Sequence, residues 1–277
     1  MYDLFQTVLL LSLLGGGLGL ILLCLKPLLV RTVPPRWQTW IWAAVLLSMV
    51  LPVYQVVPAP PPDLYMPVIQ TQAEPESPTV NTQTEQEETT TQTISPTPQP
   101  MESEPPRPQR LTQAHLSYLW LAGAGAFLAF LLGSYGRFRF QLLKKSISIS
   151  EHPLLEEVQK ELGIRRFIPL RAVPGLPSPM LVGIFFPVVC LPDPNLSEGH
   201  LRMILLHELT HYKRKDLLLK WLALLVNAVH WFNPLAYLLT RNLGQACEDA
   251  CDRDVTRDMT LQERKLYMST ILALAQA

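Results

Sequence analysis

Charge is scarce in this chain. Asp, Glu, Lys and Arg make up 17% of its 277 residues and hydrophobic residues 48%, a balance too apolar for an ordinary soluble domain. Cysteine is equally sparse. Cys24 lies in an apolar run, and Cys190, Cys247 and Cys251 fall in a part placed in the cytosol below, so no disulfide framework is expected. Cys247 and Cys251 stand four apart, but no second Cys pair completes a thiolate metal site, which favours buried helix-face cysteines. The chain also lacks an internal repeat, a Gly-rich phosphate loop and a compact basic patch, which argues against direct nucleic-acid binding.

The apolar excess is concentrated. Leu4 to Leu25, Trp37 to Val57 and Leu116 to Tyr135 each run about 20 residues without a charge, the length that crosses a hydrocarbon core as helix. Three membrane spans are therefore expected. The first is no signal peptide, because Asp3 precedes it and its basic residues follow it. Lys26, Arg31 and Arg36 flank the first short loop, and Arg137, Arg139, Lys144 and Lys145 follow the third span; both sets belong inside. The expected location is the cell membrane, multi-pass, with the N-terminus extracellular.

The segment 58–112 is rich in Pro, Thr, Gln and Glu and reads as a disordered extracellular loop, a spacer before the third span at 113–136. From 137 to 277 a cytoplasmic domain is expected. It opens with a helix over Glu151 to Leu162, ended by Gly163. Short strands follow around Arg166 to Val173, Met180 to Phe186 and Pro187 to Leu191, and their prolines suggest edge strands. Ser197 is placed to cap a helix running through Lys213.

That helix carries His207-Glu208-Leu-Thr-His211. Histidines four apart project from one helix face, as two ligands of a tetrahedral Zn²⁺ must. Glu208, between them, is placed to serve as the catalytic general base of metal-assisted hydrolysis. Two histidines bind zinc weakly, so a third ligand is required. Glu248 and Asp252, four apart in the helical run Gln245 to Asp258, are the candidates, one to bind metal and the other to orient a ligand histidine. This needs Glu248 on the side of the His helix. The apolar stretch Leu217 to Leu239 is accordingly read as a membrane-associated hairpin over 216–250, with arms Asp216 to Phe232 and Pro234 to Glu248 turning at Asn233-Pro234, and not as a fourth crossing.

At this point the sequence resembles the integral-membrane zinc peptidases of the BlaR/MecR antibiotic-sensor type. The resemblance rests on His-Glu-Leu-Thr-His-Tyr-Lys-Arg-Lys-Asp at 207–216, His-Trp-Phe-Asn-Pro-Leu at 230–235, Ala-Cys-Glu-Asp-Ala-Cys-Asp at 246–252, and Ser178-Pro179 through Gly183 to Leu191-Pro192. It implies a mainly α membrane protein: three transmembrane helices, two of them in 1–57, and a cytoplasmic zincin-like (gluzincin) α+β metallopeptidase domain with a helical hairpin. It further implies His207, His211 and Glu248 as zinc ligands, Glu208 as base and Asp252 behind the ligands. The strands from Met180 to Leu191 would offer an edge to an extended substrate, although a purely structural edge explains them equally.

The resemblance implies an extracellular signal, antibiotic or cell-wall derived, relayed by cleavage of the chain itself or of a cytoplasmic transcriptional repressor. Membrane lipid and a protein substrate are the expected partners; the oligomeric state is open. Two departures stand out. No Ser-x-x-Lys nucleophile of a penicillin-binding domain is present, so the chain is a truncation or a shorter relative, and His200 occupies a position where the family suggests an acidic residue. Tyr212 and His230 are candidates to stabilise the oxyanion. The alternatives are a non-catalytic receptor or scaffold with structural zinc, and a housekeeping membrane protease.

Overall fold

The computed structural model describes residues 2–51, 108–149 and 152–276. Its long apolar runs form long helices. α1 (Tyr2–Thr32) and α3 (Pro108–Lys145) contain segments, Leu4–Thr32 and His115–Lys145, long and apolar enough to cross a membrane. Only 11% of the most apolar part of α3 is covered by protein, which is unlike the core helix of a soluble domain. Between them α2 (Pro35–Val50) starts with proline at its first position, where the missing N–H costs nothing. The expected second span continues past Val50, mostly outside the described residues. Of the expected loop 58–112, residues 58–107 also lie outside them, while 108–112 already belong to α3, which runs well beyond 113–136 at both ends.

After α3 comes a four-stranded sheet in the order β1-β2-β4-β3: β1 (Ile147–Ile149), β2 (Leu170–Ala172), β3 (Met180–Val182) and β4 (Val188–Leu191). β2 and β4 pair in parallel, with Arg171 opposite Cys190, and the outer pairs are antiparallel. The strands are shorter than expected, and β1 adds one that the sequence reading did not include. The prolines also do not mark edges throughout. Pro187 precedes β4, a central strand buried along its whole length, because proline ahead of a strand removes no ladder donor. β3, by contrast, is an edge.

α4 (Pro153–Glu161) buries Leu154, Leu155 and Val158 and stops where Gly163 adopts φ +71°, which glycine takes without strain. α5 (Glu198–Arg214) carries Leu201, Ile204, Leu205 and Leu209 at helical spacing into one core with Leu155, Val158, Ile168, Leu170, Val189 and Leu191. Each such side chain contributes about 1.5–3 kcal/mol on burial. Tyr267 closes this core from α8 (Leu261–Gln276), a helix absent from the sequence reading.

The hairpin consists of α6 (Asp216–Val229) and α7 (Pro234–Thr256), packed together and joined across His230 to Asn233. Asn233 caps α7, its Oδ1 accepting from the Leu235 amide at 2.9 Å. The hairpin lies against α2 through a second core of Trp42, Leu46, Met49, Val226, Leu239 and Leu243. Polar bonds fix its position along the apolar helices. Asn233 donates to Ser12 Oγ at 2.8 Å, Thr39 to the Ala246 carbonyl at 2.9 Å, and Lys26 to Asn242 at 2.6 Å.

Candidate metal centre

Two helices build the site. Four-residue spacing on α5 puts the His207 and His211 rings side by side, centroids 4.7 Å apart and nearly perpendicular. Their Nε2 atoms lie 3.2 Å from each other. From α7, Glu248 Oε2 comes within 3.2 Å of His211 Nε2 and 3.6 Å of His207 Nε2. A tetrahedral zinc with bonds of about 2.0–2.1 Å needs ligand atoms about 3.3–3.4 Å apart, so these three donors are already spaced as its first three vertices.

The far side of each ring supports the same assignment. His211 Nδ1 is 2.8 Å from Asp216 Oδ2, and Asp216 is almost wholly buried at 1% exposure. His207 Nδ1 is 2.7 Å from the Tyr267 hydroxyl, which in turn donates to Asp252 Oδ1 at 2.6 Å. With Nδ1 engaged, Nε2 is the nitrogen left for a metal on both rings. The structure thus brings His207, Glu208, His211 and Glu248 together and places Asp252 behind His207.

The sequence alone does not single out Asp216 or Tyr267. Asp216 had a signal, five residues beyond His211 and next to the turn at Lys215, which takes a left-handed φ of 63° to redirect the chain from α5 into α6. Arg214 Nε reaches the same Asp216 Oδ2 at 3.2 Å, and its Nη1 pairs with Asp254. For Tyr267 the signal was indirect: Thr260 and Glu263 form a capping box that starts α8, with the Thr260 amide donating to Glu263 at 2.8 Å.

A second grouping includes sulfur. Donor atoms of His207, His211 and Cys251 all lie within 4.8 Å of one another. Cys251 Sγ, however, sits on the Nδ1 side of His207, at 3.8 Å, and 3.4 Å from the His207 carbonyl, where a thiol donates weakly. Glu248, on the Nε2 side, fits the metal position better. Cys247 is also buried.

Glu208 is buried beside the two histidines and faces the edge strand. Burial pushes its carboxyl above the usual range, while His207, His211 and the Leu181 main chain oppose the shift. Burial works against charge on the histidines as well, but hydrogen-bonded carboxylates outweigh it: Asp252 raises His207, and Asp216 pushes His211 up to about 11. Glu248 is opposed by burial yet held well below its ordinary value by the two histidine rings, His207 at 3.6 Å and His211 hydrogen-bonded at 3.2 Å. The cluster fits a divalent cation, which His207, His211 and Glu248 would hold in place of the histidine protons.

A cleft of about 340 Å³ opens here, lined among others by Met180, Leu181, Glu208, Lys220 and Glu248. Lys220 Nζ lies 3.3 Å from Glu248 Oε1, the oxygen turned away from the histidines. Tyr212 and His230 do not line the cleft; His230 is fully buried and bonds the Met49 carbonyl at 3.0 Å. His200, the unexplained departure, pairs with Ser197 Oγ at the head of α5, so Ser197 sits at the cap position without bonding the helix amides.

Helices long and apolar enough to cross a membrane, and a His-Glu-x-x-His helix with converging donors, are the features of a membrane-associated metallopeptidase family. The chain belongs to the BlaR1 peptidase M56 family, whose model matches residues 6–277. It is 28% identical over 156 residues to the regulatory protein BlaR1 of Bacillus licheniformis, covering 54% of this chain and 25% of that protein. It is 26% identical over 161 residues to the methicillin resistance mecR1 protein of Staphylococcus aureus, covering 56% of this chain and 27% of the relative. The matched stretch thus spans about a quarter of those relatives' length.

Proposed function

We propose that the chain is a zinc-dependent membrane endopeptidase that relays an extracellular signal by cutting itself or a cytoplasmic repressor. The observation that carries the catalytic part is the Nε2, Nε2, Oε2 triangle with edges of 3.2, 3.2 and 3.6 Å. His207, His211 and Glu248 would hold the metal, which when bound would supply a polarising charge for a peptide carbonyl and acidify water. Glu208 accepts the proton of the attacking water on its carboxylate and returns it to the leaving amine. Leu181 and Met180 on the open edge of β3 align the extended substrate main chain. Lys220, in the cleft, faces charge that develops on the substrate oxygen and keeps Glu248 turned toward the histidines.

The signalling part is supported by the regulatory and resistance names of the relatives and by the membrane helices packed on the hairpin that carries Glu248. A scaffold with structural zinc has one observation in its favour, the nearness of Cys251, which as a fourth ligand would close the site. One comparison separates the two. Glu208→Gln in the full membrane-embedded chain should keep its zinc and lose cleavage by at least about 10²-fold. Cleavage that persists with zinc bound removes Glu208 from the reaction, whereas a site that needs Cys251 for its metal supports the scaffold.

A further inference from the structure

The turn between β3 and β4 ends in Phe185 and Phe186, which are 78% and 71% exposed. Neither lines the cleft. Two adjacent phenylalanines left bare on a turn mark an interaction surface more than a packing accident. The turn is also held in place. Arg139 of α3 donates to the Phe186 carbonyl at 3.0 Å, and Arg166 donates to the Phe185 carbonyl while its guanidinium lies 6.0 Å from the Phe186 ring centre. Gly183 permits the close fit: at φ +97°, any Cβ there would collide with the Arg139 guanidinium and the Phe186 carbonyl.

We propose that this turn is a membrane-docking element, with Phe185 and Phe186 inserted into the headgroup layer of an anionic phospholipid leaflet beside the C-terminal end of α3. The inference rests on reading α3 as a membrane span. Tyr135, two residues before the first charge at Arg137, stacks edge-on against Trp221 of α6 at 5.2 Å, an aromatic pair of the kind that marks a membrane boundary. Arg139 lies four residues further, about 6 Å along the helix, within the roughly 5–7 Å depth of one headgroup layer. The tethered turn is therefore at headgroup level. Exposed Arg137, Lys144 and Lys145 on the same helix end supply charge complementary to anionic lipid. Docked this way, β3 and the cleft lie against the membrane surface.

The experiment uses the full chain with Cys24→Ser, a nitroxide label at Phe186→Cys, and vesicles of phosphatidylcholine containing phosphatidylglycerol. Labels at Asn195→Cys, before α5, and Leu119→Cys, in α3, give the aqueous and lipid references. Collision with oxygen relative to a water-soluble nickel chelate should be several-fold higher at 186 than at 195 and below that at 119. Releasing the turn with Arg139→Ala and Arg166→Ala should lower the ratio at 186, as should phosphatidylcholine alone. A ratio at 186 equal to that at 195 overturns the proposal. Shielding from both reagents also overturns it, since a protein then covers the turn. A water-like ratio at 119 would show instead that the membrane reading of α3 has failed, and docking falls with it.

Discussion

Each metal-facing histidine spends its second ring nitrogen on a different kind of partner. His211 is set by Asp216, buried and charged, whereas His207 meets Tyr267 and, through it, the half-exposed Asp252. The substitutions should therefore rank. Glu248→Ala removes a ligand atom and should abolish zinc retention under chelator competition. Asp216→Asn should weaken affinity toward the upper end of the roughly 10- to 100-fold typical of such partners, and Asp252→Ala or Tyr267→Phe toward the lower end. Full occupancy in Glu248→Ala would move the third ligand elsewhere. The rate should also depend on pH through Glu208. Its base form is gained only as pH rises through a value that burial holds above the ordinary carboxylate range, so the acid limb of kcat/KM should lie above that range. Lys220→Met should lower kcat more than it raises KM, because the cation faces charge that appears in the reaction.

At the scale of elements, the connection between α5 and α6 decides whether Asp216 reaches His211. Lys215 pays for that connection with a left-handed backbone, which costs an L-residue about 1–2 kcal/mol. Lys215→Gly should raise the unfolding temperature in detergent and keep zinc, while Lys215→Val should lower both. An unchanged zinc affinity in the valine variant would show that Asp216 is placed by Arg214 alone. The same elements show what the sequence could convey. The helix with His207 and His211, and the Asn233-Pro234 turn that brings Glu248 back, were legible because ligand spacing and proline stops are local signals. β1 was missed because three residues, Ile147 to Ile149, carry too little pattern. Tyr267 was missed because nothing local ties residue 267 to residue 207; only the packed core brings α8 against α5.

Across the whole molecule, the hairpin links the apolar helices to the metal donors. Its turn is held on three sides: Asn233 by Ser12 of α1, His230 by the Met49 carbonyl of α2, and the Val229 carbonyl by the Trp120 indole of α3 at 2.9 Å. These bonds pair polar groups that a turn among apolar helices would otherwise leave without partners, although His230 Nδ1 stays buried without one among the described residues. Glu248 lies fourteen residues along α7 from Pro234, about 21 Å away on an unbroken helix, so a displaced turn is transmitted to the ligand end as a rigid shift. Gly123 offers a way to impose one, since a Cβ there would press on the Trp231 ring, 2.6 Å from Cζ2. Gly123→Leu should therefore weaken zinc retention and slow cleavage although it touches no ligand. Ser12→Ala, which removes one bond worth about 0.5–1.5 kcal/mol without added bulk, should lower thermal stability and leave zinc affinity nearly intact. If Gly123→Leu folds with unaltered zinc affinity and cleavage, the hairpin yields at its turn and α7 does not carry the position of the apolar helices to Glu248.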